Sequence, residues 1–68
     1  MRTSARNQLP GTVSTVTIGA VMAEVVVDVG DQHVVAAITK DSAERLGLVE
    51  GQAVTAIIKA TDVMIGVD

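Results

Sequence analysis

Near its start the chain carries Thr3-Ser4-Ala5-Arg6-Asn7-Gln8, a dense run of hydroxyls, a guanidinium and two amides leading directly into an apolar strand. Disordered tails mix Gly, Ser, Lys and Glu and leave their polar groups to water. This stretch instead suits one half of a small anion site. Candidates for the other half lie further along. Thr39 and Ser42 stand three apart at an expected helix start, where free backbone N–H groups and the positive end of the helix dipole gather. On spacing alone, plain capping accounts for Thr39 or Asp41 equally well. Lys59 ends an apolar strand expected to be mostly buried, a place where a lysine needs an anionic partner or a route to water. Together Ser4, Arg6, Thr39, Ser42 and Lys59 offer two positive charges and three hydroxyls. That set fits a tetrahedral dianion: the charges neutralise it, while hydroxyls and backbone amides complete its coordination.

Other chemistry finds little support. With no cysteine there is no thiolate nucleophile, disulfide or thiolate metal site, and one histidine cannot build an imidazole cluster. No glycine-rich phosphate loop and no cluster of histidine and carboxylates is present, so the chain is not expected to be an enzyme or to ligate a metal directly. His33 fits a half-exposed sheet residue. Met22 and Met64 fit core or interface filler. Single-strand nucleic-acid binders stack bases on aromatic rings and duplex binders carry a basic footprint, whereas this chain has no Phe, Trp or Tyr and a net charge of −3. No nucleic-acid partner is expected. No membrane partner is expected either, since no apolar run reaches spanning length and Met1-Arg2 is not followed by the apolar region of a signal peptide. The expected location is the cytoplasm.

The elements that must position these residues follow from the hydrophobic period. Leu9-Pro10-Gly11 suggests a turn-like entry. Thr12 to Ile18 is a β-branched strand whose alternation slips between Val13 and Val16, as a β-bulge would make it. Glu24 to Val29 alternates with Val25, Val27 and Val29 on one face. Gly30-Asp31 then turns it into a hairpin with His33 to Ile38. Thr39, Asp41 and Glu44 start a helix of about two turns, and Gly47 stops it. Strands over Ala53 to Lys59 and Val63 to Val67 complete the chain. Five strands with a short helix between the third and fourth match a small Greek-key barrel of the OB type, all-β, in a single domain over residues 1–68.

A 68-residue chain with 49% hydrophobic residues has more apolar surface than one small core can hide. Without disulfides or a metal, self-association is the remaining route to stability. Closure or subunit pairing would also cover the long valine-rich edges of an open sheet.

Three runs together resemble the molbindins, small molybdate- and tungstate-binding proteins. They are Ser4-Ala5-Arg6-Asn7-Gln8-Leu9 with Gly11-Thr12-Val13; Ile38-Thr39 with Ser42 and Leu46-Gly47-Leu48; and Ile57-Ile58-Lys59-Ala60-Thr61-Asp62-Val63-Met64-Ile65. The resemblance extends over nearly the whole chain from Thr3 onward. It implies an OB-like barrel, assembly as a homo-hexamer built from three dimers, and molybdate or tungstate held between subunits for intracellular storage or homeostasis. By position it places Ser4, Arg6 and Lys59, with the backbone around Ala5 and Ala60, in one subunit and Thr39 and Ser42 in its neighbour. Pro10 stands where many relatives carry a larger polar or basic residue. The family's older name implies a pterin, but a chain without aromatic residues has nothing to stack on a pterin ring, so the expected ligand is the bare oxyanion.

Two other readings compete. Ile38-Thr39-Lys40, Ala43-Glu44-Arg45-Leu46-Gly47-Leu48 and Glu50-Gly51 resemble the helix-and-turn signature of swapped-hairpin DNA-binding transcription regulators, although that fold usually presents a basic face and this chain is acidic. A passive assembly module with an incidental polar pocket is the third.

Overall fold

The computed structural model describes all 68 residues and contains four strands, β1 (Asn7–Ile18), β2 (Met22–Val29), β3 (Gln32–Thr39) and β4 (Ala53–Ile58). One helix, α1 (Lys40–Leu46), lies between β3 and β4, and a single 3-10 turn, Ala60–Asp62, follows β4. The strands form one antiparallel sheet in the order β3-β2-β1-β4. The architecture is therefore mostly β with one short helix, as the hydrophobic period implies.

The long first strand organises the sheet because it serves two partners. Its first half, Asn7 to Thr12, pairs with β4, and from Thr12 onward it pairs with β2. Leu9-Pro10-Gly11 thus lies inside a strand and is not a turn, which corrects the sequence-based boundary. Proline is tolerated there because β1 has a neighbour on only one side until Thr12, so a missing donor can face the unpaired side. Gly11 sits where β2 closes in. A Cβ at that position would overlap the Asp28 carbonyl oxygen and lie 2.8 Å from Val27 Cγ1.

The expected bulge is present. The β1–β2 register jumps from Val13↔Val27 to Thr15↔Val26, leaving Ser14 as the extra residue. The inward face switches with it, from Leu9, Gly11 and Val13 before the bulge to Val16 after it. The β2–β3 hairpin turns at Gly30-Asp31, with Gly30 at φ 60, a conformation glycine adopts without steric cost. Thr39 caps α1 by accepting from the Ser42 backbone N–H, and Gly47, left-handed at φ 62, ends it.

Val13, Val25 and Val27 form the core, packed against Val16, Val29, Val34, Ala36, Ile38, Leu48 and Val54. Only two other residues, Ala23 and Ala43, are buried. The sheet does not close. Between its edge strands β3 and β4 runs an apolar trough floored by Val25 and Val27 and flanked by Val34 to Ile38 and Val54 to Ile58. The expected fifth strand, Val63 to Val67, is not formed: the 3-10 turn redirects the chain, the segment pairs with nothing, and Met64, Ile65 and Val67 are 92%, 87% and 94% exposed. In place of a closed five-stranded barrel the chain forms an open four-stranded sheet.

Candidate oxyanion site

The β1–β4 ladder decides where the first group of candidate residues lies. Its last register pair is Asn7↔Ile58, so the residue before β1, Arg6, and the residue after β4, Lys59, follow on at the same end of the sheet. Ser4, Ala5 and Arg6 come together there with Lys59 and Ala60 around an open cleft of about 580 Å³, which Ile57, Thr61 and Asp62 also line. Ile57 belongs to the outward row of β4, opposite the inward Val54, Ala56 and Ile58. None of the buried core residues lines the cleft. Lys59 is exposed there and not buried, which corrects the expectation that its surroundings would enclose it.

The cleft is positive and its charges are unspent. Carboxylates meet basic groups at His33 Nδ1 with Asp28 Oδ1, 2.6 Å apart, and at Lys40 Nζ with Glu44 Oε1, 3.9 Å apart; Arg6 and Lys59 have no carboxylate within 4.0 Å. Nor does either side chain, or the hydroxyl of Ser4 or Thr61, make a hydrogen bond within the chain. The N-terminal segment is held locally: the Thr3 hydroxyl accepts from the Ala5 N–H at 3.2 Å, and the Gln8 amide donates to the Ala5 carbonyl at 2.8 Å. Two free cations at the end of one ladder, with donors around them and solvent access, can hold a small anion by charge-assisted hydrogen bonds.

Thr39 and Ser42 lie elsewhere. Thr39 pairs with Met22, just past the Ile18 end of β1, whereas Ser4 to Arg6 precede its Asn7 end. Neither residue lines the cleft. Their hydroxyls are already engaged: Thr39 Oγ1 donates to Ser42 Oγ at 2.8 Å and accepts from the Ser42 N–H at 3.1 Å, and Arg45 Nη2 donates to Ser42 Oγ at 3.3 Å. Capping is thus a real role of Thr39. The structure brings together Ser4, Ala5, Arg6, Lys59 and Ala60 and leaves Thr39 and Ser42 apart from them within one chain.

Sequence reasoning missed Thr61 and Asp62 as residues of the cleft. Both were visible in the run after Lys59, and only the 3-10 turn, pinned by Asp62 N–H to the Lys59 carbonyl at 2.9 Å, folds them back beside it. His33 is a surface sheet residue directly opposite Asp28, as expected. Among His, Cys, Asp and Glu side chains no group of three could hold a metal ion. No helix is long and apolar enough to cross a membrane. Met22 is half exposed and Met64 almost fully so; neither fills the core of this chain.

Comparison with known proteins supplies the context for this geometry. Residues 3–65 match the TOBE domain family model. Molybdenum-pterin-binding protein 3 of Clostridium pasteurianum is 53% identical over 66 residues, covering 96% of this chain and 97% of its own length. The solved structure of a molybdate-binding protein from Sporomusa ovata superimposes with a TM-score of 0.91 at 46% identity, covering 96% of this chain and 97% of that one. ModG, a cytoplasmic molybdate-binding protein solved with molybdate bound, superimposes with a TM-score of 0.92 at 42% identity over all of this chain and 49% of its own. These relatives are binding proteins by name.

Proposed function

This chain belongs to the TOBE domain family and, within it, to the molybdenum-pterin-binding proteins or molbindins, and from that membership we infer that it binds molybdate and tungstate as bare oxyanions between its own subunits. The observation that carries this reading is the cleft where Arg6 and Lys59 converge with Ser4 and no carboxylate neutralises them. A doubly charged oxyanion would neutralise the two cations and accept from the donors the cleft presents. No pterin is required, since the cleft offers no aromatic face.

The separation of Thr39 and Ser42 from the cleft supports an intersubunit site, in which a neighbouring copy presents its α1 start to Ser4, Arg6, Lys59 and the Ala5 and Ala60 backbone. Assembly also answers the open sheet. The trough between β3 and β4 leaves two strand edges unpaired, and Val63 to Val67 is an exposed, alternating apolar segment of strand length. We place this segment in the trough of another copy, completing a five-stranded OB-like barrel in a homo-hexamer of three dimers. The protein then serves molybdenum storage or homeostasis in the cytoplasm, without catalysis.

A melting panel tests the ligand. Molybdate and tungstate are expected to raise Tm in proportion to the logarithm of their concentration, while sulfate and phosphate at equal concentration leave it nearly unchanged. No shift with molybdate, together with salt-dependent retardation of duplex DNA, would replace this reading with the DNA-binding one.

A further inference from the structure

The cleft holds a hydroxyl to which nothing so far assigns a role. We propose that Thr61 is an additional oxyanion ligand, its side-chain O–H donating to the bound anion beside Lys59; this rests on the oxyanion reading above. Hydroxyl supply is the starting point. Thr39 and Ser42 bond to each other and lie outside the cleft, so within one chain they supply it with no hydroxyl. In the cleft itself Ala5 and Ala60 have no polar side-chain atom. The free hydroxyls there belong to Ser4 and Thr61 alone.

The two are not equivalent. Ser4 lies in the segment before β1, where no regular structure fixes it. Thr61 lies at the centre of the 3-10 turn Ala60–Asp62, closed by the Asp62 N–H to the Lys59 carbonyl at 2.9 Å and the Val63 N–H to the Ala60 carbonyl at 3.3 Å. Its backbone is therefore held relative to Lys59, and β-branching restricts its χ1. A donor fixed before the ligand arrives loses little entropy on binding, unlike the long side chains of Arg6 and Lys59. A tetrahedral dianion has four oxygens, each able to accept more than one hydrogen bond. A further hydroxyl beside the guanidinium fork, the ammonium and the other donors of the site therefore has an acceptor to meet.

The experiment uses the assembled full-length protein titrated with sodium molybdate by calorimetry. Thr61→Val replaces the hydroxyl with a methyl group of the same shape at an exposed position, and Thr61→Ser keeps the hydroxyl. The expected result is a ten- to hundredfold weaker Kd for Thr61→Val, the range of a hydrogen bond to a charged group. Thr61→Ser should stay within about threefold of the parent, and the ligand-free Tm of both variants should be unchanged. Parent-like affinity in Thr61→Val, with the parent binding molybdate, overturns the assignment and leaves the oxyanion reading intact. Equal loss in both variants also overturns it, because the hydroxyl would then not be what matters. No molybdate heat from the parent overturns both.

Discussion

Arg6 immediately precedes and Lys59 immediately follows the Asn7–Ile58 pair that ends the β1–β4 ladder, and both line the same cleft. No carboxylate lies within 4.0 Å of either side chain, and neither makes a hydrogen bond within the chain. The pair makes sense as one half of a site completed by a negative ligand. Both side chains are exposed and bond to nothing in the chain, so losing either cation should weaken ligand binding and leave the ligand-free fold nearly untouched.

Arg6→Ala and Lys59→Ala are each expected to lower molybdate affinity by at least about thirtyfold, corresponding to about 2 kcal/mol or more for removing one partner of a charge pair. Their Tm without ligand should stay close to that of the parent. Calorimetry and scanning calorimetry on the same preparations give both numbers. Near-parent affinity in the two variants would remove these residues from the site.

How much of this was legible in the sequence depends on the kind of information each residue carries. Periodicity located β2, β3, β4 and α1 closely because each has one buried face, and the slip between Val13 and Val16 marked the bulge at Ser14. Pro10 and Gly11 misled because their usual meaning is a turn, whereas β1 changes partner there and needs both a dispensable donor and a missing side chain. Val63 to Val67 has a strand's alternation but no strand beside it in its own chain, and pairing is a property that composition does not encode. For the cleft, residue types pointed to Ser4, Arg6 and Lys59. Their meeting is a consequence of register, and Thr61 and Asp62 enter through a turn that no periodic signal announced.

Asp62 gives the cleft one negative group, facing the same space as Arg6 and Lys59 without an ion pair to either. Its carboxylate opposes a dianion placed there. Asp62→Asn should therefore tighten molybdate binding by up to about fivefold, the scale of a solvent-screened charge interaction, and the gain should shrink as salt is added. A weaker Kd in the variant would show that the carboxylate supports the site and does not oppose it.

Gly11 tests the fold independently of the ligand. Any side chain at this position meets the Asp28 carbonyl and Val27, so Gly11→Ala must push β2 from β1 where the two strands flank the Val13–Val27 contact. Overpacking of this kind destabilises by about 1–3 kcal/mol. Urea unfolding of the ligand-free protein should show a lower midpoint with an unchanged slope. An unchanged midpoint would mean that β1 and β2 are less closely apposed than the structure has them.

The C-terminal segment decides whether the open sheet is completed by another copy. Val63, Met64, Ile65 and Val67 are exposed apolar side chains, and the β3–β4 trough is an exposed apolar surface of matching length. Burying one in the other removes both from water and pairs both edges. Ending the chain after Asp62 keeps every residue of the four-stranded sheet, α1 and the cleft, yet should shift the mass measured by light scattering from an oligomer to smaller species. Molybdate binding should fall with it, because Ser4, Arg6 and Lys59 would lose the neighbouring Thr39 and Ser42. If the truncated protein keeps the parent's mass, the segment is not the element that joins the subunits. If it keeps the parent's affinity as a monomer, the site is complete within one chain.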